Sequence, residues 1–578
     1  MANISGKQGK DERSARYRRV GVWALAVLLA GGCALVPPSL AAAQSQSQTK
    51  PKPNTDSHMT EEQANQLFAL VDELIKFSSD ETGLPIKNHV KRQLTTRDAV
   101  ESYLTKKFDE DQDAKRMQRD EVVLKKFGLL DRDFALKPFL LALLKEQIEA
   151  YYDSKTKTVN LLDWVDVNEQ KPVLAHELTH ALQDQHSDLE KWDDQTPEDV
   201  STDSKGDTDH LARDEMDTAR DAVAEGQATA VMMDYVLKPL GKSLVKDPEV
   251  MELLKQHMAG VGDSPVMARA PLLLSESMLF PYREGLSFEQ DIWMDQGRDA
   301  AFAGALDHPP SSTWEIINPR VYEAHKTPAI PLMPNIHPLL DKDYEPYDIG
   351  QIGQLDVHIL AQLFGGDEAA RDLTPAWNGG MYWAGQLRSA TAGGGQKAPA
   401  NSMGDANSTK SLAIFYYSGW RNAASANAFA KLYANSLGRK YSGVKEDEAA
   451  EKSASLRSGE IEQVFTTDEG PVVITIRGKN VFVAESFPLE TSRKLTALIL
   501  DAQGTGELKM ARNTVLHPGP AVLRTSYAGS VGSQPQHPDS RGDSGSATGD
   551  ALSGSMVRFM ESCGVLKAAV DGAIAGIR

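Results

Sequence analysis

The chain has 578 residues, of which 41% are hydrophobic and 25% are charged. This length predicts roughly two to four domains, and the composition is typical of soluble globular proteins. The formal net charge of −19 argues against nucleic acid as a partner, because phosphate binding needs a basic surface and no basic stripe occurs beyond the N-terminus.

Residues 1–43 are predicted to be a signal peptide. Six basic residues precede an apolar stretch at 20–36, and Ala41 and Ala43 form a site of the kind that signal peptidase cleaves. The protein is therefore expected to be exported, to the periplasm or the extracellular space. The alternatives are a lipid anchor at Cys33 or an uncleaved N-terminal membrane anchor, since no other stretch could span a bilayer.

Residues 44–57 are polar and contain proline, as expected of a linker, and a mainly helical domain is predicted over 58–340. Its first helix is predicted to begin after a capping box at Thr60. Residues 151–162 predict a β-hairpin, whose edge could bind a peptide through its backbone or could be a plain sheet edge. The helix that follows is predicted to have Pro172 at its first position.

This helix carries the motif His176-Glu177-Leu178-Thr179-His180. Two histidines four residues apart project from one helix face, so their neutral imidazoles can bind a single Zn²⁺. Glu177 then lies beside the open coordination position, where it can act as a general base. With only two cysteines in the chain, and one of them in the signal peptide, a thiolate site is excluded.

A catalytic zinc site needs a third protein ligand, and the sequence offers two candidates. His186 has the spacing of the third ligand in the metzincin pattern HExxHxxGxxH. Gln183, however, stands where that pattern has its glycine. The helix can therefore continue, and His186 would then point away from His176 and His180. Glu225 lies on a later helix with a small, apolar face, where a carboxylate is costly unless it meets a cation. We favour Glu225, with Asp221 one turn earlier accepting an N–H from a ligand imidazole.

Beyond residue 340 the pattern changes to that of a small α+β domain, predicted over 341–505. Aromatic and β-branched runs predict strands, including a β-hairpin that turns at 478–480, and a last helix follows at about 490–502. Residues 506–550 are rich in Gly, Ser and Pro and are predicted to be a disordered tail. A short helix is predicted over 551–578.

The HExxH motif followed by a glutamate on a later helix resembles the gluzincin metallopeptidases. More closely, the chain is similar to a group of exported, uncharacterised bacterial zinc-protease-like proteins. The similar stretches are AYYD (150–153), HELTHALQDQH (176–186), AVAEGQATA (222–230), FPYREG (280–285) and PPSSTWEIINPRVY (309–322). In that group a histidine often stands at the position of Asn318.

The resemblance implies an α+β fold with a mainly helical zincin-like domain, and the hydrolysis of a peptide or protein substrate. The ligands of Zn²⁺ would be His176, His180 and Glu225, and Glu177 would be the base. A further donor should stabilise the oxyanion; Tyr282, Tyr322 and His325 are candidates. Among them we select Tyr322, which ends a motif-like stretch.

Two other functions remain open. A catalytically silent zincin-like protein could serve as a binding or assembly factor in the cell envelope, with the C-terminal domain performing recognition. The presence of Glu177 argues against this role, because a purely structural zinc site does not need a base. A metal-dependent hydrolase of non-peptide bonds would use the same ligands.

Overall fold

The structure of the protein is a computed structural model. It describes residues 58–109, 111–147, 150–193, 195–197, 200–258, 265–388 and 408–503. The predicted signal peptide, linker, C-terminal tail (506–550) and C-terminal helix (551–578) lie outside the described residues.

The first helix, α1 (Glu61–Thr82), has the predicted capping box. The Thr60 side chain accepts a hydrogen bond from the Gln63 N–H, and the Gln63 side chain accepts one from the Thr60 N–H. The helix ends at Gly83, whose φ of 76° places it in the left-handed region that glycine tolerates best. Local sequence therefore determines both ends of α1.

A small three-stranded sheet lies next to α1. The elements after α1 are β1 (Lys91–Thr95), α2 (Arg97–Asp109), α3 (Asp111–Phe127), α4 (Leu136–Gln147), β2 (Ala150–Asp153) and β3 (Thr158–Leu162). The central strand β3 pairs antiparallel with β2 and parallel with β1. The predicted hairpin is confirmed, and β2 is an edge strand of this sheet.

Helix α5 (Val167–Ser187) carries the HExxH motif, and its start differs from the prediction. The Asp166 side chain accepts a hydrogen bond from the Asn168 N–H and caps the helix, so Pro172 lies inside α5 and not at its first position. The prediction was wrong because the cap precedes the proline by six residues. An internal proline removes one backbone hydrogen bond, but α5 continues beyond it.

Further helices complete the N-terminal part. They are α6 (Leu189–Asp193), α7 (Ser204–Arg213), α8 (Met216–Leu237), a 3₁₀ turn (Lys238–Leu240), α9 (Pro248–Met258), a 3₁₀ turn (Met267–Arg269), α10 (Leu272–Phe280), a π-helical turn (Pro281–Gly285), α11 (Leu286–Gln296), a second π-helical turn (Ala300–Gly304), α12 (Ala305–Asp307), α13 (Thr313–Ile317), α14 (Pro319–Glu323) and α15 (His337–Leu340). Helix α8 is buried along most of its length and packs against α5, α11 and the first π-helical turn.

The C-terminal part is built on a seven-stranded antiparallel sheet. Its elements are β4 (Tyr344–Gln351), α16 (Gln354–Leu373), a 3₁₀ turn (Thr374–Ala376), β5 (Trp377–Leu387), a 3₁₀ turn (Thr409–Ser411), β6 (Leu412–Trp420), α17 (Ala423–Lys440), β7 (Lys445–Glu446), α18 (Glu448–Lys452), β8 (Glu460–Thr467), β9 (Gly470–Arg477), β10 (Asn480–Glu485) and α19 (Leu489–Ala502). The strand order is β4-β5-β6-β10-β9-β8-β7. The predicted β9–β10 hairpin is confirmed.

Both faces of this sheet are covered, which explains the run of consecutive apolar residues in β6. Tyr416 packs with Phe429 and Tyr433 of α17 on one face, and Phe415 belongs to a cluster with Leu495 of α19 on the other. The fold is therefore α+β, as predicted. Within the described ranges, no helix has the length and apolar character needed to cross a bilayer.

One hydrophobic cluster runs through both predicted domains. The largest cluster of buried side chains extends from Leu67 in α1 to Val483 in β10, and the described residues belong to one compact unit. The boundary predicted at 340/341 therefore separates a mainly helical part from a part built on the seven-stranded sheet. The two parts share this hydrophobic cluster.

Candidate metal centre

The three predicted metal ligands meet where α5 crosses α8. Nε2 of His176 lies 3.0 Å from Oε2 of Glu225, and Nε2 of His180 lies 3.3 Å from Oε1. The two Nε2 atoms are 3.0 Å apart. All three residues are at most 5% exposed, and their ligand atoms lie within 4.8 Å of one another. This cluster could hold a metal ion.

The charges in the cluster suit a divalent cation. Burial lowers the pKa of His176, which favours the neutral imidazole that a metal requires, whereas Glu225 outweighs burial at His180 and raises the pKa of that imidazole. Burial alone would raise the pKa of Glu225, but the two imidazoles outweigh it and hold that pKa near 2. Two imidazoles and one carboxylate are a donor set that divalent transition-metal ions accept.

Glu177 lies beside this cluster and is held by the edge strand. Its Oε2 accepts a hydrogen bond of 2.7 Å from the backbone N–H of Tyr152 in β2. Burial raises the pKa of Glu177 to about 8, and the nearby Glu225 adds to this, whereas His180 and the Tyr152 N–H oppose it. A buried carboxylate with a pKa near neutrality, next to three candidate metal ligands, has the chemistry of a general base.

Two glycines bring a further side chain to the cluster. A Cβ atom on Gly226 of α8 would lie 2.4 Å from the Gly285 backbone, and one on Gly285 would lie 2.1 Å from the Ala222 carbonyl oxygen. Only glycine allows this approach, so the π-helical turn lies directly against α8. In this turn, the centroid of the Tyr282 ring lies 6.3 Å from the centroid of the His176 ring, and the planes of the two rings differ by 30°.

Tyr282, and not Tyr322, is the tyrosine at the cluster. The Tyr282 hydroxyl is buried and has no hydrogen-bond partner among the described residues. The Tyr322 hydroxyl instead donates to the carbonyl of His308 at 2.8 Å, and its ring packs on Phe288. His325 is exposed, with a φ of 49°. The catalytic role chosen for Tyr322 therefore stays a prediction, and among the described residues its hydroxyl contacts a backbone carbonyl.

The structure places His186 outside the cluster. Helix α5 continues through Gln183 to Ser187, and His186 Nε2 lies 2.9 Å from Oδ1 of Asp307. The chain thus lacks the sharp turn that would return His186 to the other ligands. Asn318, where the similar proteins often have a histidine, donates to Gln354 Oε1 at 2.7 Å and to the Trp314 carbonyl at 2.8 Å.

One residue of the site was missed at the level of sequence. Oε1 of Gln183 lies 2.8 Å from Nδ1 of His180, a contact of the kind that we predicted for Asp221 with one of the ligand imidazoles. Asp221 is buried, and its pKa is raised well above the ordinary value by burial and by the carboxylates of Glu225 and Asp217. The available signal was the spacing: Gln183 is three residues after His180, on the same helix face.

Comparisons with protein-family models, curated proteins and solved structures found no match to this chain.

Proposed function

We propose that the protein is an exported zinc-dependent peptidase of the gluzincin type, with a zincin-like N-terminal part, that hydrolyses peptide bonds in a peptide or protein substrate. The observation that carries the proposal is Glu177, a buried carboxylate next to three ligands that leave one coordination position open. A structural zinc site has four protein ligands and no use for such a base. Export rests on the sequence of residues 1–43.

Each residue at the site has a defined task. Bound Zn²⁺ would supply Lewis acidity and an activated water. Glu177 accepts the proton of the attacking water and delivers it to the leaving amine. The Tyr152 N–H keeps one oxygen of Glu177 in place. The Tyr282 hydroxyl, which is free to donate, stabilises the negative charge that develops on the carbonyl oxygen.

Replacing Glu177 by glutamine is expected to abolish catalysis while zinc stays bound. Glutamine keeps the size and one oxygen but cannot accept the proton, and loss of a general base lowers a rate by roughly 10²–10⁴-fold. The assay is cleavage of casein or a generic peptide by the wild type and the variant, with zinc content measured in both. Equal cleavage by the two proteins would refute the peptidase proposal.

Tyr282→Phe is expected to lower kcat by roughly 10²–10³-fold, the usual effect of removing one oxyanion donor. The change removes only a hydroxyl, so zinc content should stay the same. Tyr322→Phe is the matched control, because its hydroxyl bonds to the His308 carbonyl and should not affect the rate. A loss of activity in Tyr322→Phe alone would reverse the assignment.

Burial of the cluster favours a second candidate, the catalytically silent binding or assembly factor. The ligands and Glu177 are at most 5% exposed, so a polypeptide must displace neighbouring segments to reach them. The same assay separates the two functions. Stoichiometric zinc without cleavage by the wild type would support the silent factor, and cleavage that depends on Glu177 would support the peptidase.

A further inference from the structure

A chain of buried amides leads away from His180. Oε1 of Gln183 meets the imidazole Nδ1 at 2.8 Å, and Nε2 of Gln183 donates to Oε1 of Gln227 at 2.9 Å. Gln227 in turn reaches the second π-helical turn, where its Nε2 lies 2.9 Å from the carbonyl oxygen of Ala301 and 3.0 Å from that of Phe302. The chain therefore joins α5, α8 and the π-helical turn.

The far end of this chain sets its direction. The carbonyl oxygens of Ala301 and Phe302 can only accept hydrogen bonds, so both of them face the NH₂ group of Gln227. Burial raises the pKa of the neighbouring Glu289, and a hydrogen bond from Gln227 opposes this effect, so the same NH₂ group also faces that carboxyl. The side-chain oxygen of Gln227 must then face Gln183. Rotating the Gln227 amide by half a turn would place its oxygen against two carbonyl oxygens, in a site that is fully buried.

The same reasoning applies to Gln183. Its NH₂ group donates to Gln227 Oε1 and to the carbonyl oxygen of Ala224, both at 2.9 Å. Both of its N–H groups are thereby used, and only its oxygen is left to face His180. An oxygen at that point must receive a proton from Nδ1. Gln183 therefore holds a hydrogen on Nδ1 of His180, and Nε2, which faces Glu225 Oε1 at 3.3 Å, is the nitrogen left to bind a metal.

We propose that Gln183 and Gln227 act as positioning residues that hold His180 in the tautomer required of a metal ligand. Gln227 acts only through Gln183. Among the described residues His176 has no amide chain of this kind, and the backbone of Ala228 on α8 contacts its imidazole instead and opposes the lowering of its pKa by burial. The inference rests on the proposed metal centre. It concerns the affinity for the metal ion and the position of the hydrogen on the His180 imidazole, and it does not depend on peptide hydrolysis.

Zinc affinity of the full-length protein, measured by competition with a chelator, tests the proposal. Gln183→Leu should weaken binding by roughly 10- to 100-fold, the usual effect of removing a hydrogen-bond partner of a ligand histidine. Gln227→Leu should also weaken zinc binding, because the Gln183 amide is then free to rotate. The effect should be smaller than that of Gln183→Leu, because Gln183 is still present beside His180. In the double variant, Gln227→Leu should add nothing to the effect of Gln183→Leu.

Gln170→Leu is the matched control. Gln170 lies on the same helix and is fully buried like Gln183, but its amide bonds to the backbone of Leu162 and Val165. Its replacement removes a comparable set of buried hydrogen bonds without touching a ligand. Zinc affinity should stay at the wild-type value even if the protein becomes less stable.

Nitrogen-15 NMR of the metal-free protein, at a pH where His180 is neutral, reads the tautomer directly. The wild type should show His180 protonated at Nδ1, and Gln227→Leu, which keeps the neighbour of His180, should show a mixture of tautomers. The proposal would be overturned if Gln183→Leu bound zinc with wild-type affinity. It would also be overturned if Gln227→Leu weakened zinc binding in the double variant as much as it does alone. A wild type with the Nδ1–H tautomer that binds no zinc would refute only the proposed function.

Discussion

Glu225→Ala is expected to leave the purified protein without stoichiometric metal. The Glu225 carboxylate is fully buried and, among the described residues, is the negative group that contacts both imidazoles, at 3.0 and 3.3 Å. Without it, two neutral imidazoles must hold a divalent cation in a buried site, which is unfavourable. The loss of affinity should exceed the roughly 10- to 100-fold that follows from removing an outer hydrogen bond. Metal analysis after dialysis measures it.

His186→Ala is the control for this experiment. His186 is paired with Asp307, an exposed residue outside the cluster, so its replacement should leave the metal content unchanged. Loss of metal in His186→Ala with retention in Glu225→Ala would show that the two-helix site is wrong. It would restore the metzincin-like alternative, in which His186 is the third ligand.

Lys126→Met is expected to lower the free energy of unfolding by about 3–5 kcal/mol, the usual effect of removing one partner of a buried ion pair. Lys126 of α3 is fully buried, and Nζ lies 2.9 Å from Glu469 Oε2 and 2.7 Å from Ser486 Oγ. Burial lowers the pKa of Lys126 to about 8, although Glu469 and Glu485 oppose this effect. Methionine fills the space but leaves the Glu469 charge without its closest cation. Urea denaturation measures the change.

The neighbouring Lys125 provides a matched control. It also pairs with a carboxylate, Glu121 on the same helix at 2.6 Å, but both side chains are partly exposed. Lys125→Met should therefore change stability by at most about 1 kcal/mol. The double variant Lys126→Met/Glu469→Gln should recover part of the loss. Equal, small effects of Lys125→Met and Lys126→Met would mean that the buried pair does not stabilise the fold.

The Lys126 network also shows how the two predicted domains are connected. Lys126 precedes residue 340, whereas Glu469 and Ser486 follow it, so the ion pair joins α3 to the C-terminal sheet. Nothing in the sequence around Lys126 distinguishes it from an exposed lysine. Burial of its side chain depends on elements that are hundreds of residues away along the chain.

The features that sequence determined by itself are those set by local spacing. The capping box at Thr60 requires only residues three apart, and the common face of His176 and His180 follows from helical geometry. The β9–β10 hairpin likewise follows from two apolar runs around a short turn. The helix start at Pro172 failed because two local signals competed, and the Asp166 cap determined the first residue.

Tertiary structure alone decided which distant residues reach the cluster. The small, apolar face around Glu225 predicted that its carboxylate meets a cation, but its contact with His176 depends on how α5 crosses α8. Tyr282 and Tyr322 look equivalent in sequence, and the close approach of Gly226 and Gly285 accounts for the position of Tyr282 next to His176. The contact of the Tyr322 hydroxyl with the His308 carbonyl is likewise set by tertiary structure. Contacts between elements depend on the packing of the whole core, which the spacing of residues within one element does not encode.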